Sequence, residues 1–246
     1  IDGHFKLSNV YENGETTTGN STKFGVSKTF GNIQYGLTYF GANDTYDISD
    51  LGFQRRNNYA NYYGSISYRI FEPTKYFNSM RISLRGRLEY LSSPNKYTGN
   101  NAEIDAFFSL KNKFAFGLKA ETNFGEQYDY DEPRVDGLFF KKNGVLETES
   151  WFSTDYRKKF ALDVRGGFAI QYDTDANYHS LNISPRYRFS DKFEVIYAVK
   201  FSKLVNELGY VNEDENGNVI FGKRDVENIT NTIAGKLSFN TKSLAE

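Results

Sequence analysis

Arg81, Arg85, Arg87 and Glu89 recur at every second or fourth position of one short segment, and residues 82 to 90 read Ile-Ser-Leu-Arg-Gly-Arg-Leu-Glu-Tyr. A strand has period two, so these charges share one face and the apolar residues the other. Neighbouring segments repeat the pattern with Glu103 and Asp105, Lys119 and Glu121, Asp163 and Arg165, Arg186 and Arg188, and Glu194 and Lys200. Rows of both signs on a wet face can select ions or grip a polar solute. They can also neutralise one another as cross-strand ion pairs that stiffen the sheet. Arg85 and Arg87 are expected beside Glu103 and Asp105. The balance of signs favours mutual pairing.

Other chemistry is sparse. Residues 212 to 220, Asn-Glu-Asp-Glu-Asn-Gly-Asn-Val-Ile, resemble the start of a calcium loop, with Asn212, Asp214 and Asn216 as alternating oxygen ligands. The closing bidentate glutamate is missing, because Lys223 stands in its place. A turn at Asn216-Gly217, tipping a long external hairpin, is the better reading. Calcium is thus a weak candidate and no other cofactor is indicated. Cysteine is absent, which excludes disulfides and thiolate metal sites. The two histidines are His4 and His179, and neither a Gly-x-Ser-x-Gly nor a His-Glu-x-x-His pattern occurs. No catalytic residue is assigned and an enzyme is not expected. Trp151, at a strand entrance, reads as a membrane-interface anchor rather than a sugar platform. Asp44, Asp47 and Asp50, and Asp129, Asp131 and Glu132, read as solvated loops.

The elements that must carry these residues are strands. The spacing predicts about twelve, over 3–10, 21–30, 32–41, 58–70, 79–91, 101–111, 113–124, 149–157, 160–172, 177–189, 192–204 and 226–240. Short connections alternate with long ones at 11–20, 42–57, 92–100, 125–148, 173–176 and 205–225. Tilted strands of about ten residues, with short turns on one side and long loops on the other, fit an antiparallel transmembrane β-barrel. Sets such as Ile33, Tyr35 and Leu37, or Leu181, Ile183 and Tyr187, would then face lipid. Charges placed on that side at mid-depth would cost roughly 2–4 kcal/mol for each Arg or Lys. A soluble propeller or solenoid would need polar outer faces instead.

Composition agrees. Aromatics make up 17 % of the chain, with 19 Tyr and 22 Phe, and a mean hydropathy of −0.62 is compatible with a wet interior and polar loops. The net charge of −1 provides no field to attract nucleic acid. No apolar run reaches the length of a transmembrane helix. Residues 1–246 are expected to form one part of a single outer-membrane barrel domain. The start at Ile1 without Met and the end at Ser243-Leu244-Ala245-Glu246 read as a portion of a longer chain.

Several segments carry a resemblance. Residues 50–58 (Asp-Leu-Gly-Phe-Gln-Arg-Arg-Asn-Asn), 132–135 (Glu-Pro-Arg-Val), 153–160 (Ser-Thr-Asp-Tyr-Arg-Lys-Lys-Phe), 185–193 (Pro-Arg-Tyr-Arg-Phe-Ser-Asp-Lys-Phe) and 217–225 (Gly-Asn-Val-Ile-Phe-Gly-Lys-Arg-Asp) resemble stretches of a Bacteroidota outer-membrane β-barrel family. Its members carry an N-terminal module similar to family-nine carbohydrate-binding domains. The resemblance implies an inner part of a larger barrel, with no catalytic residues to transfer. It does not carry the module's glycan role onto these residues.

Two functions are expected from these readings. One is a porin-like or transport-related barrel, linked to glycan handling, embedded among outer-membrane lipids and lipopolysaccharide. The other is a non-transporting subunit that scaffolds a larger outer-membrane assembly with outer-membrane or periplasmic proteins. Arg55, Arg56, Tyr210 and Asp214 are then the loop residues to dock a partner. Local pairing of the two arginines with Asp44, Asp47 and Asp50, worth at most about 1 kcal/mol when exposed, is the simpler reading.

Overall fold

The computed structural model describes residues 1–52, 54, 56–130, 133, 138–215 and 218–238. Among them the regular structure is β-strand, apart from one 3-10 turn at Ser49–Leu51. No helix is long and apolar enough to cross a membrane. The strands are β1 (Asp2–Glu12), β2 (Glu15–Lys28), β3 (Ile33–Ala42), β4 (Tyr59–Ile70), β5 (Phe77–Tyr90), β6 (Tyr97–Leu110), β7 (Ala115–Thr122), β8 (Gln127–Asp129), β9 (Phe140–Lys142), β10 (Val145–Ser153), β11 (Phe160–Gln171), β12 (Asn177–Ser190), β13 (Phe193–Glu213) and β14 (Val219–Leu237). Twelve form one antiparallel sheet in chain order, with β8 and β9 paired apart from it. The order runs from β1 to β14 and the sheet is not closed, whereas the expected barrel requires both of these edges to be paired.

Four connections expected to be long loops contain strand, among them 92–100, where β6 begins at Tyr97. Asn13 and Gly14 both have positive φ, 51° and 83°, which a two-residue type I′ hairpin turn requires. The β-branched run Thr16-Thr17-Thr18 therefore continues β2, and pairing extends to Glu12↔Glu15. The segment 205–225 is likewise a continuation of β13 and β14, paired as far as Glu213↔Val219. Register shifts between Leu204 and Glu207 and between Tyr210 and Asn212 mark irregularities that broke the alternation in the sequence. In 125–148, β8 and β9 form a three-rung ladder.

The chain falls into two compact units. The first comprises Ile1–Ile70, Arg81–Asp105 and Ala120–Leu146. Its registers put Phe24 opposite Tyr39 and Tyr39 opposite Tyr62, and Tyr35 opposite Ile66, all on one face. The alternate positions Thr38, Tyr63, Gly36 and Ser65 make up the other face. The second unit comprises Phe71–Met80, Ala106–Lys119 and the described chain from Glu147 onward. There Val164, Ile183, Val199 and Asn231 form one cross-strand row, and Leu181, Phe201 and Ile229 another. Arg165, Asn182, Lys200 and Thr230 form a row on the opposite face.

Few side chains of the sheet are buried. Among the described residues the buried aliphatic or aromatic ones are Ala42, Tyr46 and Ala161, while Ser8, Ser21, Asn61, Ser83, Thr98, Asp155, Glu194 and Ser202 are buried polar ones. Leu37 is 71 % and Ile233 77 % exposed. Covering a side chain of that size is worth about 1.5–3 kcal/mol, so a face of them uncovered in water would be strongly disfavoured.

Candidate functional site

The charge-bearing face is where the expected site residues meet. In the first unit, Arg81 Nη2 donates to Asp105 Oδ1 at 2.6 Å. Arg85 pairs with Glu103, and its Nη2 lies 3.8 Å from the same Asp105 oxygen. Ser83, on this face between the two arginines, is 4 % exposed. Arg87 instead turns along its own strand, with Nε 3.0 Å from Glu89 Oε1. Glu121 accepts from Asn101 Nδ2 at 2.6 Å. The carboxylates outside the arginine cluster are thus also engaged.

In the second unit Arg165 Nη1 lies 3.2 Å from Glu149 Oε1. Arg186 Nη1 and Arg188 Nε lie 3.4 and 3.6 Å from the carboxylate of buried Glu194. Lys119 is half-buried on the face of β7 that also carries Gly117. Asp163 accepts from Ser153 Oγ at 2.5 Å and from the hydroxyl of Tyr156.

Tyr156 was not singled out by sequence reasoning, although it lies inside the 153–160 stretch. It comes from the turn between β10 and β11. Asp155 shapes that turn by accepting from the Arg157 backbone N–H at 3.0 Å and from its guanidinium at 2.7–3.2 Å. These bonds, chiefly those of the Arg157 side chain, lower the Asp155 carboxyl to about 2. Arg188 Nη2 then donates to the Tyr156 carbonyl at 3.0 Å, and the ring lies against Arg186. Burial, then the bond to Asp163, raises the Tyr156 hydroxyl above the usual phenol range.

A groove of about 610 Å³ opens beside this cluster, lined among others by Glu147, Glu149, Trp151, Arg165, Asn182 and Lys200. Trp151 is therefore on the charged face and not at the apolar surface expected of an interface anchor. Its ring centroid is 5.9 Å from that of Phe107. It also covers Gly117 so closely that a Cβ there would sit 2.5 Å from Trp151 Nε1. The sequence signal was parity: Trp151 shares it with Glu147, Glu149 and Ser153.

The loop candidates are arranged differently from expectation. Arg55 lies outside the described residues. The Arg56 guanidinium is 6.0 Å from the Tyr59 ring centroid. Asp47 accepts from the Ser49 N–H and hydroxyl at 2.7 and 2.5 Å, and chiefly the hydroxyl bond lowers its carboxyl. Gln54 orders this loop by accepting from Ile48 N and donating to Tyr46 O at 2.7 and 2.8 Å. Tyr210 stands opposite Phe221, and Asn212 opposite Ile220, in the β13–β14 ladder. Asp214 accepts from Asn218 N and Nδ2, both at 2.8 Å, which closes a turn. Asn216 is outside the described residues. Among the described residues no group of three or more His, Asp or Glu side chains is placed to hold a metal ion.

The family described as "Domain of unknown function (DUF5916)" matches residues 1–245, and the chain belongs to that family. No curated protein and no solved structure matches the chain.

Proposed function

We propose that this member of the family forms part of an outer-membrane β-barrel, with its apolar face in lipid and its ionic face toward a wet interior through which polar solutes pass. The observation that carries this reading is the row structure of the sheet. Large side chains such as Leu37, Ile66, Leu181 and Ile183 are exposed on one face, while the other holds paired ions. Lipid is the solvent that removes the cost of such a face, and strands spanning a bilayer alternate in this way. The ligands of this layer are outer-membrane lipids and lipopolysaccharide, and no catalytic, metal or nucleic-acid chemistry is assigned. The intact protein in planar bilayers is expected to conduct ions. Reversing Arg85 and Arg87 to Glu should shift its ion selectivity toward cations. Absence of conductance from folded, intact protein counts against passage.

A second reading, a scaffold within a larger outer-membrane assembly, is favoured by one observation. β13 and β14 are 21 and 19 residues long, against the 9–11 or so that cross a bilayer. Their distal rungs, from Glu207↔Arg224 outward, thus extend beyond the span of a bilayer. Deleting 209–223 should release a bound partner and leave the barrel folded. Survival of the complex would remove the hairpin as the contact.

A further inference from the structure

We infer that the groove beside Trp151 is a subsite for a short, uncharged oligosaccharide. The inference rests on the reading above that this face is the wet one, and it names the class of solute held there. The groove is about 610 Å³, within the range of about 300–1,000 Å³ typical of small-molecule sites. Its registers give it a low floor: Gly167 lies opposite Ser180, and Ser180 opposite Ser202. A Cβ at Gly167 would lie 2.7 Å from Ser180 Oγ, so a larger residue there would have to turn the serine hydroxyl aside.

The walls decide the ligand class. Arg165 is neutralised by Glu149, and Asp163 is engaged by Ser153 and Tyr156. Lys200 and Glu147, exposed members of the same lining, add one charge of each sign. An anion would meet three carboxylates; a cation would meet one carboxylate more than the two cations Arg165 and Lys200, and that carboxylate, Asp163, is already taken by Ser153 and Tyr156. A fully apolar ligand would strip water from all of these without replacing it. A neutral chain of hydroxyls avoids each penalty, because every hydroxyl can both donate and accept. The indole of Trp151 supplies the remaining element. Its apolar ring suits the flat C–H face of a pyranose, while the polar groups around it take the equatorial hydroxyls. Phe107 and Gly117 fix the ring from the side away from β11 and β12, so little freedom is lost on binding.

The test is titration of the detergent-purified intact protein with maltohexaose and cellohexaose, read by calorimetry and by tryptophan emission. Subtracting the emission of Trp151→Phe isolates the signal of this residue. Saturable millimolar binding of either hexasaccharide is expected, with a change in the Trp151 signal. Trp151→Ala should weaken it at least tenfold and Trp151→Phe by less than threefold. Asn182→Ala, in the groove lining between Arg165 and Lys200, should weaken it several-fold with the fold unchanged by circular dichroism. Absence of saturable binding to both sugars overturns the inference. So does equal affinity in Trp151→Ala, or Trp151-dependent binding confined to hexagalacturonate or triglycine. Bilayer conductance of the same preparation separates the two readings. Conductance without sugar binding leaves passage standing and removes the subsite, and binding without conductance does the reverse.

Discussion

The guanidinium of Arg186 lies 4.3 Å from the centroid of the Tyr156 ring, while the Tyr156 hydroxyl donates to Asp163. One turn residue thereby joins β11 to β12 on the charged face, and Glu194 ties β13 to the same arginine. Tyr156→Phe removes the hydrogen bond to the Asp163 carboxylate, together with a longer one to Ser153 Oγ at 3.3 Å, and should cost about 1.5–3 kcal/mol. Tyr156→Ala also removes the cation–π contact, worth about 0.5–2 kcal/mol, and should cost correspondingly more. Urea unfolding of the refolded protein measures both. Equal losses would show that the ring contributes nothing beyond its hydroxyl.

Arg85 and Glu103 make the second test. Arg85 reaches both Glu103 and Asp105, so it holds β5 to β6 more firmly than Arg87, whose partner is on its own strand. Arg85→Ala should destabilise by about 2 kcal/mol and Arg87→Ala by less than about 1. A double cycle with Glu103→Ala should give a coupling energy of about 1 kcal/mol or more. A coupling near zero would reduce this pair to an unproductive surface contact.

The strand count and the two-faced alternation were legible because period two survives any loop length. Residues 81–90 alone place four charges on one side, and the ion pairs of Arg81 and Arg85 follow from that parity. What escaped was whatever depended on a turn or on depth. Asn13-Gly14 carries a hairpin signal that the expected long connection over 11–20 leaves unused, and the polar threonines after it lack the apolar alternation of the other strands. The β13–β14 extension was hidden by its register shifts. Trp151 was placed by residue type, and type alone carries no information about which face a strand presents. Tyr156 could not be read at all, because its partners Asp163, Arg186 and Arg188 belong to later strands and only the folded turn brings them together.

Gly117 is predicted to be intolerant of any side chain. A Cβ at this position would lie 2.5 Å from Trp151 Nε1 and 2.7 Å from Cε2 of the same ring. The indole also packs against the Phe107 ring. Gly117→Ala should therefore cost about 1–3 kcal/mol as overpacking. It should also shift the emission of Trp151, the only tryptophan of this chain. Unchanged emission and stability would mean that the ring swings clear.

Asp155 gives a pH dependence with a definite sign. Its carboxyl, lowered from 3.8 to about 2 by Arg157, is more acidic in the folded turn than in an unfolded chain. Stability from this turn is then fully present above about pH 4 and is lost as the pH falls through about 2. Carboxyl carbon NMR should place the Asp155 midpoint near the lower value. In Arg157→Ala it should return toward 3.8. An unmoved midpoint would transfer the effect to the backbone N–H of residue 157.

Ile183 and Asn182 are adjacent, yet their side chains belong to opposite faces, and this makes them the sharpest probe of what surrounds the sheet. Ile183 pairs with Val164 and Val199, and is 40 % exposed. Asn182 stands between Arg165 and Lys200. If water covered both faces, arginine at either place would be tolerated, and at 183 it would even relieve an exposed apolar patch. In lipid the outcomes diverge. Ile183→Arg should then cost roughly 2–4 kcal/mol near mid-depth, falling toward zero nearer an interface. Asn182→Arg should cost much less, limited to repulsion from its two cationic neighbours across a wet face. Unfolding titrations in phospholipid vesicles, with Leu181→Arg as a second lipid-side position, measure the difference. A larger loss at 182 than at both 181 and 183 would invert the faces and remove the foundation of the membrane reading.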